Sequence, residues 1–492
     1  MGALKQAVTR LKMLLIRVPL LLKTLILHGI HMSPVSGKQD LRTELLTVLI
    51  RSFVTGEDTI LKTQKGSMRD PGIQGPMWIS KVTLPQPEFD VRDAVLRAIE
   101  ELGNGQETFH LPAIAAVEGE WTGWRSGVGK KAPQPDISEE EKYHNLRKEV
   151  TSDMTILYFH GGAYFLMDPC THRIPLAHIS RQTGAPVFSV RYRLAPQNPF
   201  PAALVDALTA YFSLIHPPEG SLHEPVPANK IVLAGDSAGG NLSFVLLQTL
   251  LTLRRVSRSV RFHGKDIDIE LPGGVVGISP WCDVTLSMPS IVKNRQFDYM
   301  DIRPGRVDEP DFSIPFKSHP FPSDAAWPVS PPRVDLFCNA NAMSHPLVSP
   351  IAAKSELWKD SPPVFISVGE ECLTDEGLIL ARRIHQAGTS VAAQMFEGMP
   401  HCHGILMIST PTGKKFWDGI FGFCRDVDQG QVTRSGNLRH HGFKLRSERE
   451  IPLEKACDVG DEEVEERLRK HTGWRLDTEI EMQREWRERS RL

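Results

Sequence analysis

The sequence lacks the signatures of nucleotide and metal chemistry. Its 492 residues contain no P-loop, no dinucleotide fingerprint and no zinc-ligand spacing. Gly161-Gly162 is without the further glycine that a dinucleotide loop needs. Charge of one sign is missing too: 57 Lys and Arg stand against 59 Asp and Glu, a net charge of −2, so nothing favours bulk nucleic-acid binding. No apolar run reaches the ~18–20 residues of a membrane span. The most apolar stretch, Leu11 to Ile30, is broken by Lys12, Arg17, Pro19 and Lys23. The seven cysteines (Cys170, Cys282, Cys338, Cys372, Cys402, Cys424 and Cys457) are scattered and odd in number. They read as free thiols in a reducing compartment, which places the chain inside the cell, in the cytoplasm or on the cytoplasmic face of a membrane.

What is present centres on Gly235-Asp236-Ser237-Ala238-Gly239, of the form G-x-S-x-G. It follows the apolar run Ile231-Val232-Leu233-Ala234 and precedes a helix-like stretch from Gly240 to Leu247. Strand, sharp turn and helix are the setting of a nucleophile elbow, where a strained turn lifts a serine hydroxyl above a sheet. Upstream, Met154 to Phe159 reads as a buried strand ending in His160-Gly161-Gly162-Ala163. Backbone N–H groups unobstructed by side chains can hold the oxyanion of a tetrahedral intermediate. Gly161, Gly162, Ala163 and, across the elbow, Ala238 are the expected donors. Downstream, Pro363 to Gly369 reads as a strand followed by Glu370, Glu371 and Asp375, and Val391 to Phe396 as a strand ending at Glu397-Gly398-Met399-Pro400-His401. The chain order serine, acid, histidine suits a hydrolytic triad on this kind of sheet.

Several further motifs run in the same order: Tyr192-Arg193-Leu194-Ala195-Pro196, Phe200-Pro201-Ala202, Ser279-Pro280-Trp281, Pro346-Leu347-Val348-Ser349-Pro350 and Leu373-Thr374-Asp375-Glu376. With the elbow, the HGG loop and Glu397 to His401, they make the chain resemble the hormone-sensitive-lipase-like, HGGG-type branch of the α/β-hydrolase fold, in wording closer to its fungal members. The resemblance implies an α/β fold: a mostly parallel central sheet with helices on both faces and a cap over the active site. It implies Ser237 as nucleophile, Asp375 as acid, with Glu370 and Glu371 as rivals, and His401 as base. No cofactor and no metal are implied. The chain departs from the family in three places. Ala163 stands where many members have glycine, and Gln197 where an acid is usual. His403 replaces an aromatic residue and reads as a spare surface or supporting histidine.

The remaining segments divide as follows. Residues 1–39 carry Lys5, Arg10, Lys12, Arg17, Lys23 and Lys38 and no acid; they read as a basic segment lying on a membrane surface, as a cap helix, or as a transmembrane anchor. Residues 40–150 supply first strands and cap elements, with Met77 to Leu84 and Ala116 to Trp124 as strands and Val91 to Leu102 as an amphipathic helix stopped by Gly103. Residues 151–425 form the catalytic core, with a Pro-rich insertion at 301–345 whose Phe312, Phe316, Phe321 and Trp327 either line an apolar mouth or pin a surface loop. Residues 426–492 alternate acids and bases and read as a solvated helix or tail. The expected activity is hydrolysis of small-molecule carboxylic esters or lipids through an acyl-enzyme. The alternatives are a non-catalytic ligand-binding member of the fold, a steryl-ester or lipid deacetylase at a membrane surface, and a membrane scaffold.

Overall fold

The computed structural model describes residues 15–53, 58–257, 259–300, 312–317 and 321–490. Its strands are β1 (Met77–Leu84), β2 (Val117–Trp124), β3 (Thr155–Phe159), β4 (Val187–Arg191), β5 (Ile231–Asp236), β6 (Ser259–Phe262), β7 (Lys265–Asp268), β8 (Gly274–Ile278), β9 (Val364–Gly369), β10 (Val391–Phe396), β11 (Gly436–His441) and β12 (Glu448–Pro452). Ten of them form one sheet in the order β1-β2-β4-β3-β5-β8-β9-β10-β11-β12. Pairing is parallel from β4 through β11 and antiparallel at both edges. β6 and β7 make a separate hairpin.

The central strands are buried on both faces, which is why they read as continuous apolar runs. Alternation sends Leu157, Phe159 and Leu233 into one core and Ile156, Tyr158 and Val232 into the other. The first core is covered by the helices Phe89–Leu102, Ala202–Ile215, Ala238–Val256 and Thr374–Gln386, the second by Pro169–Thr183 and Pro411–Asp428. The helix Phe89–Leu102 buries Val91, Ala94, Val95, Ala98 and Ile99 at helical spacing and ends at Gly103. Trp121 is a core residue packed on Tyr143 and Phe188.

Residues 426–492 differ from the expected tail. They extend the sheet with β11 and β12 and then form the helix Asp461–Arg489. That helix buries Val464 and Leu468 in the first core. Its Glu479 accepts the backbone N–H groups of Val334 and Ala340 at 3.0 and 3.1 Å. Its polar look hid this packing because part of what it buries is charged. Of the Pro-rich insertion, 301–311 and 318–320 lie outside the described residues. Phe312 and Phe316 pack on Trp474 of the last helix, whereas Phe321 and Trp327 cluster with Phe165 beside the HGG loop.

At the N-terminus, helices Val18–Gly29 and Leu41–Arg51 pack as a hairpin. Glu44 joins them by accepting from Ser33 Oγ at 2.6 Å and pairing with His28. Lys5, Arg10 and Lys12 lie outside the described residues. No helix among the described residues is long and apolar enough to cross a membrane.

Candidate active site

β5 ends at Asp236 and a helix begins at Ala238, so Ser237 alone makes the turn, at φ 54° and ψ −119°. Holding a non-glycine residue there costs about 1–3 kcal/mol. The surroundings impose it: Ser237 N–H donates to Ile278 O at 2.9 Å, and Ser237 O accepts from Trp281 and Asn241 N–H, each at 3.0 Å. Gly239 is required by close approach, since a Cβ there would lie 2.0 Å from Phe159 O. Asn241, formally a glycosylation sequon, is buried and donates to Trp281 O and Val348 O.

The HGG loop bends through Gly162 (φ 107°), Ala163 (φ 51°) and Tyr164 (φ 62°). A Cβ on Gly162 would meet Leu166 O at 2.3 Å, so the tight turn needs glycine. Tyr164 anchors the loop to the elbow helix by donating to Asn241 Oδ1 at 2.7 Å and by stacking on Phe337. Gly161 departs from the expected donor set. Its N–H is spent on Asp236 Oδ1 at 3.0 Å, an oxygen that also accepts from Tyr158 Oη at 2.8 Å and lies 3.2 Å from His172 Nε2. Burial would raise the Asp236 pKa, but His172 and the Tyr158 hydroxyl hold it below the usual carboxylate value. The N–H groups of Gly162, Ala163 and Ala238 have no partner among the described residues. Before the loop, His160 is stacked on Tyr192, and burial together with the neighbouring His172 lowers its pKa to about 4, so it is a neutral structural ring.

The acid facing His401 is Glu371. Its Oε2 lies 2.5 Å from His401 Nδ1, and both residues are buried. Its other oxygen accepts Ser279 Oγ at 2.6 Å and Gly369 N–H at 2.9 Å. Asp375 sits instead in the first turn of the helix Thr374–Gln386, where it accepts Ser290 N–H at 2.8 Å and lies beside Cys457. Burial pushes its pKa up. The other two acids of this cluster are also committed. Glu370 takes Lys38 Nζ at 2.6 Å and Gly398 N–H at 2.9 Å, bracing the histidine loop. Glu376 is fully buried against the Cys282 and Asp283 N–H groups, and burial raises its pKa strongly. Four acids within seven positions are indistinguishable as letters; the turn after β9 decides which one meets the histidine.

Burial by itself lowers the His401 pKa. The Cys402 sulfur and the Glu371 carboxylate raise it, and the net shift is upward. Cys402 is itself pushed up to about 12, chiefly by burial, so it is a neutral thiol near pH 7 and the acting charge is that of Glu371. His403 is not at the surface. It is buried between Phe396 and Phe416, both ring nitrogens lack a hydrogen-bond partner among the described residues, and burial lowers its pKa to about 3. Gln197, at the position where the resemblance implied an acid, forms a reciprocal amide pair with Gln64, at 2.8 and 3.2 Å.

Two residues without an expected role tie the site together. Ser279 donates to Glu371 and accepts Cys402 N–H at 3.1 Å, on the same turn that clasps the backbone of Ser237. The segment 278–281 thus joins nucleophile, acid and base. Ser279-Pro280-Trp281 was visible as a motif, but its task was not. Asp298, fully buried, accepts His401 N–H at 3.2 Å on Oδ1 and Cys372 N–H at 2.8 Å on Oδ2, bridging the histidine and acid loops. Nothing in its neighbourhood of sequence signals this. Among the described residues no group of three or more His, Cys, Asp or Glu side chains is placed to hold a metal ion.

A family model described as alpha/beta hydrolase fold matches residues 156–307 and 321–404. An acetyl-hydrolase of Streptomyces hygroscopicus is 32% identical over 248 residues, 50% of this chain and 67% of that protein. The hormone-sensitive lipase of Homo sapiens is 34% identical over 148 residues, 30% of this chain and 12% of that protein. The crystal structure of an esterase from the bacterial hormone-sensitive lipase family has a TM-score of 0.50 at 24% identity, covering 79% of this chain and 99% of that one, a likeness of fold. The matched residues carry Ser237, Glu371 and His401, and this chain belongs to the α/β-hydrolase fold family, in its esterase- and lipase-type branch.

Proposed function

We propose that the protein hydrolyses carboxylic esters with Ser237 as nucleophile, His401 as base and Glu371, in the place expected for Asp375, as the acid. The observation that carries this is the buried Glu371–His401 pair, fastened through Ser279 to the turn that clasps Ser237. Ser237 Oγ attacks the ester carbonyl while its proton passes to His401. The oxyanion is held by the N–H groups of Gly162, Ala163 and Ala238. Glu371 keeps the histidine proton on Nδ1 and stabilises the imidazolium. Collapse breaks the bond to the alcohol, which leaves with the proton from His401, and an acyl-serine remains. Water then attacks as His401 takes its proton, and collapse releases the acid and regenerates Ser237.

Ala163, with its methyl group at the oxyanion loop, favours short acyl groups, in keeping with the name of the acetyl-hydrolase relative. A p-nitrophenyl ester series from acetate to palmitate, run on wild type and Ser237→Ala, tests this. Turnover greatest at about two to four acyl carbons, each further methylene being disfavoured in a narrowed site, and absent from the variant, is the expected result. An optimum at long chains overturns the pocket reading, and equal turnover by Ser237→Ala overturns the nucleophile.

A further inference from the structure

The N-terminal hairpin is turned inside out for a helix pair of a water-facing protein. In Val18–Gly29 the buried residue is Thr24, whose hydroxyl donates to Leu20 O at 3.0 Å. The large apolar side chains point outward: Leu22 is 52% exposed and Ile26 60%, and Ile16, just before the helix, is 76% exposed. Contiguous exposed apolar surface of this kind marks an interaction face. Between the two helices lies an apolar groove of about 520 Å³ lined by Leu21, Leu25, Leu45, Leu49 and Leu406, with Arg42 at its rim.

Charge on the hairpin selects the partner. Lys23 and Arg42 are exposed, while its two acids are turned to internal tasks. Asp40 caps the second helix by accepting Thr43 N–H at 2.8 Å, and Glu44 is buried against Ser33 and His28. An apolar face with groove, rimmed by cations and free of exposed acids, complements hydrocarbon beneath a layer of anionic headgroups. We propose that this hairpin docks on the surface of an anionic lipid bilayer, with leaflet hydrocarbon filling the groove and Lys23 and Arg42 at the level of the phosphates.

The docking face is fastened to the candidate active site. Lys38, between the helices, pairs with Glu370, and Gln39 donates to Phe297 O and Gly398 O at 2.8 and 2.7 Å. Arg51 donates to Asp298 O at 3.0 Å. Leu406 of the groove lies five residues beyond His401. Docking through this face therefore holds the loops of Glu371 and His401 close to the lipid surface, where esters of apolar alcohols or acids reside.

Co-sedimentation with sucrose-loaded vesicles tests the proposal without using turnover, so its outcome is independent of the ester-hydrolase reading. The full chain should sediment with phosphatidylcholine/phosphatidylserine vesicles at low salt and much less with phosphatidylcholine alone. Leu22→Asp with Ile26→Asp should lower the bound fraction by at least about tenfold, since each removes an apolar side chain from the lipid. Lys23→Glu with Arg42→Glu should abolish the preference for the anionic vesicles. All variants should keep the wild-type thermal midpoint, because the altered side chains are exposed. Three results would overturn the proposal: wild type that stays in the supernatant, apolar variants that bind as well as wild type, or a wild-type dimer that Leu22→Asp splits, which would make a second copy of the chain the occupant.

Discussion

Exchanging the acids one at a time separates geometry from motif. In Glu371→Gln the side-chain amide stands where Oε2 faced His401 Nδ1 at 2.5 Å. An amide N–H there donates to Nδ1 and drives the ring proton to Nε2, the atom that must accept the serine proton. The imidazolium also loses the carboxylate that faces its Nδ1. Loss of the acid in a serine–histidine–acid triad with its geometry kept lowers kcat about 10⁴-fold, or about 5 kcal/mol of transition-state stabilisation. Asp375→Asn removes a carboxylate whose hydrogen bond from Ser290 N–H an amide oxygen can still accept. Its cost should stay below about tenfold, or about 1.4 kcal/mol. The assay is kcat and KM on p-nitrophenyl butyrate, with thermal unfolding to show that both variants are folded. A crippled Asp375→Asn beside an active Glu371→Gln would refute the assignment of Glu371.

Other consequences follow from the same contacts. Because the His401 pKa is raised and the base must be neutral, kcat/KM should climb with pH through a midpoint above the ordinary histidine value of 6.5. The residual activity of Glu371→Gln should show that midpoint at lower pH, since the charge that raises it is gone; an unmoved limb would mean another group titrates. Asp298→Asn puts an amide against the N–H groups of His401 or Cys372 and displaces one of the two loops. Its kcat should fall about 10–100-fold with KM nearly unchanged, and Asp298→Ala with full activity would show that the bridge is idle. Gly239→Ala forces a Cβ onto Phe159 O and should destabilise the fold by about 3 kcal/mol or prevent folding; an unchanged unfolding curve would contradict the packing at the elbow.

The parts of the molecule legible in sequence are those where burial leaves little choice of residue. β3, β5, β8 and β9 lie between two cores, so each is an unbroken apolar run, and the turns after β3 and β5 need glycine because backbones approach there. β11 and β12 were missed because they lie at the sheet edge with one side polar, as Gly436 to His441 and Glu448 to Pro452 show. The helix Asp461–Arg489 reads as solvated because two of the residues it buries, Arg475 and Glu479, act on backbone groups far away in sequence. Asp375 matched a motif, yet motif position does not encode where a side chain points after a strand; Glu371 meets His401 because Ser279 and Gly369 hold its other oxygen. Ser279 and Asp298 act only through partners that tertiary structure brings near, which no local pattern records.

The central claim is that Ser237 is a nucleophile activated by His401, and its most direct test is covalent. Wild type, Ser237→Ala and His401→Ala are treated with a p-nitrophenyl alkylphosphonate, and the adduct is read by intact mass and located by peptide mapping. The account predicts one adduct per wild-type chain, on the peptide carrying Ser237, none on Ser237→Ala and much slower labelling of His401→Ala. An adduct mapped to another residue, or folded wild type that takes no label and turns over no ester, would contradict it.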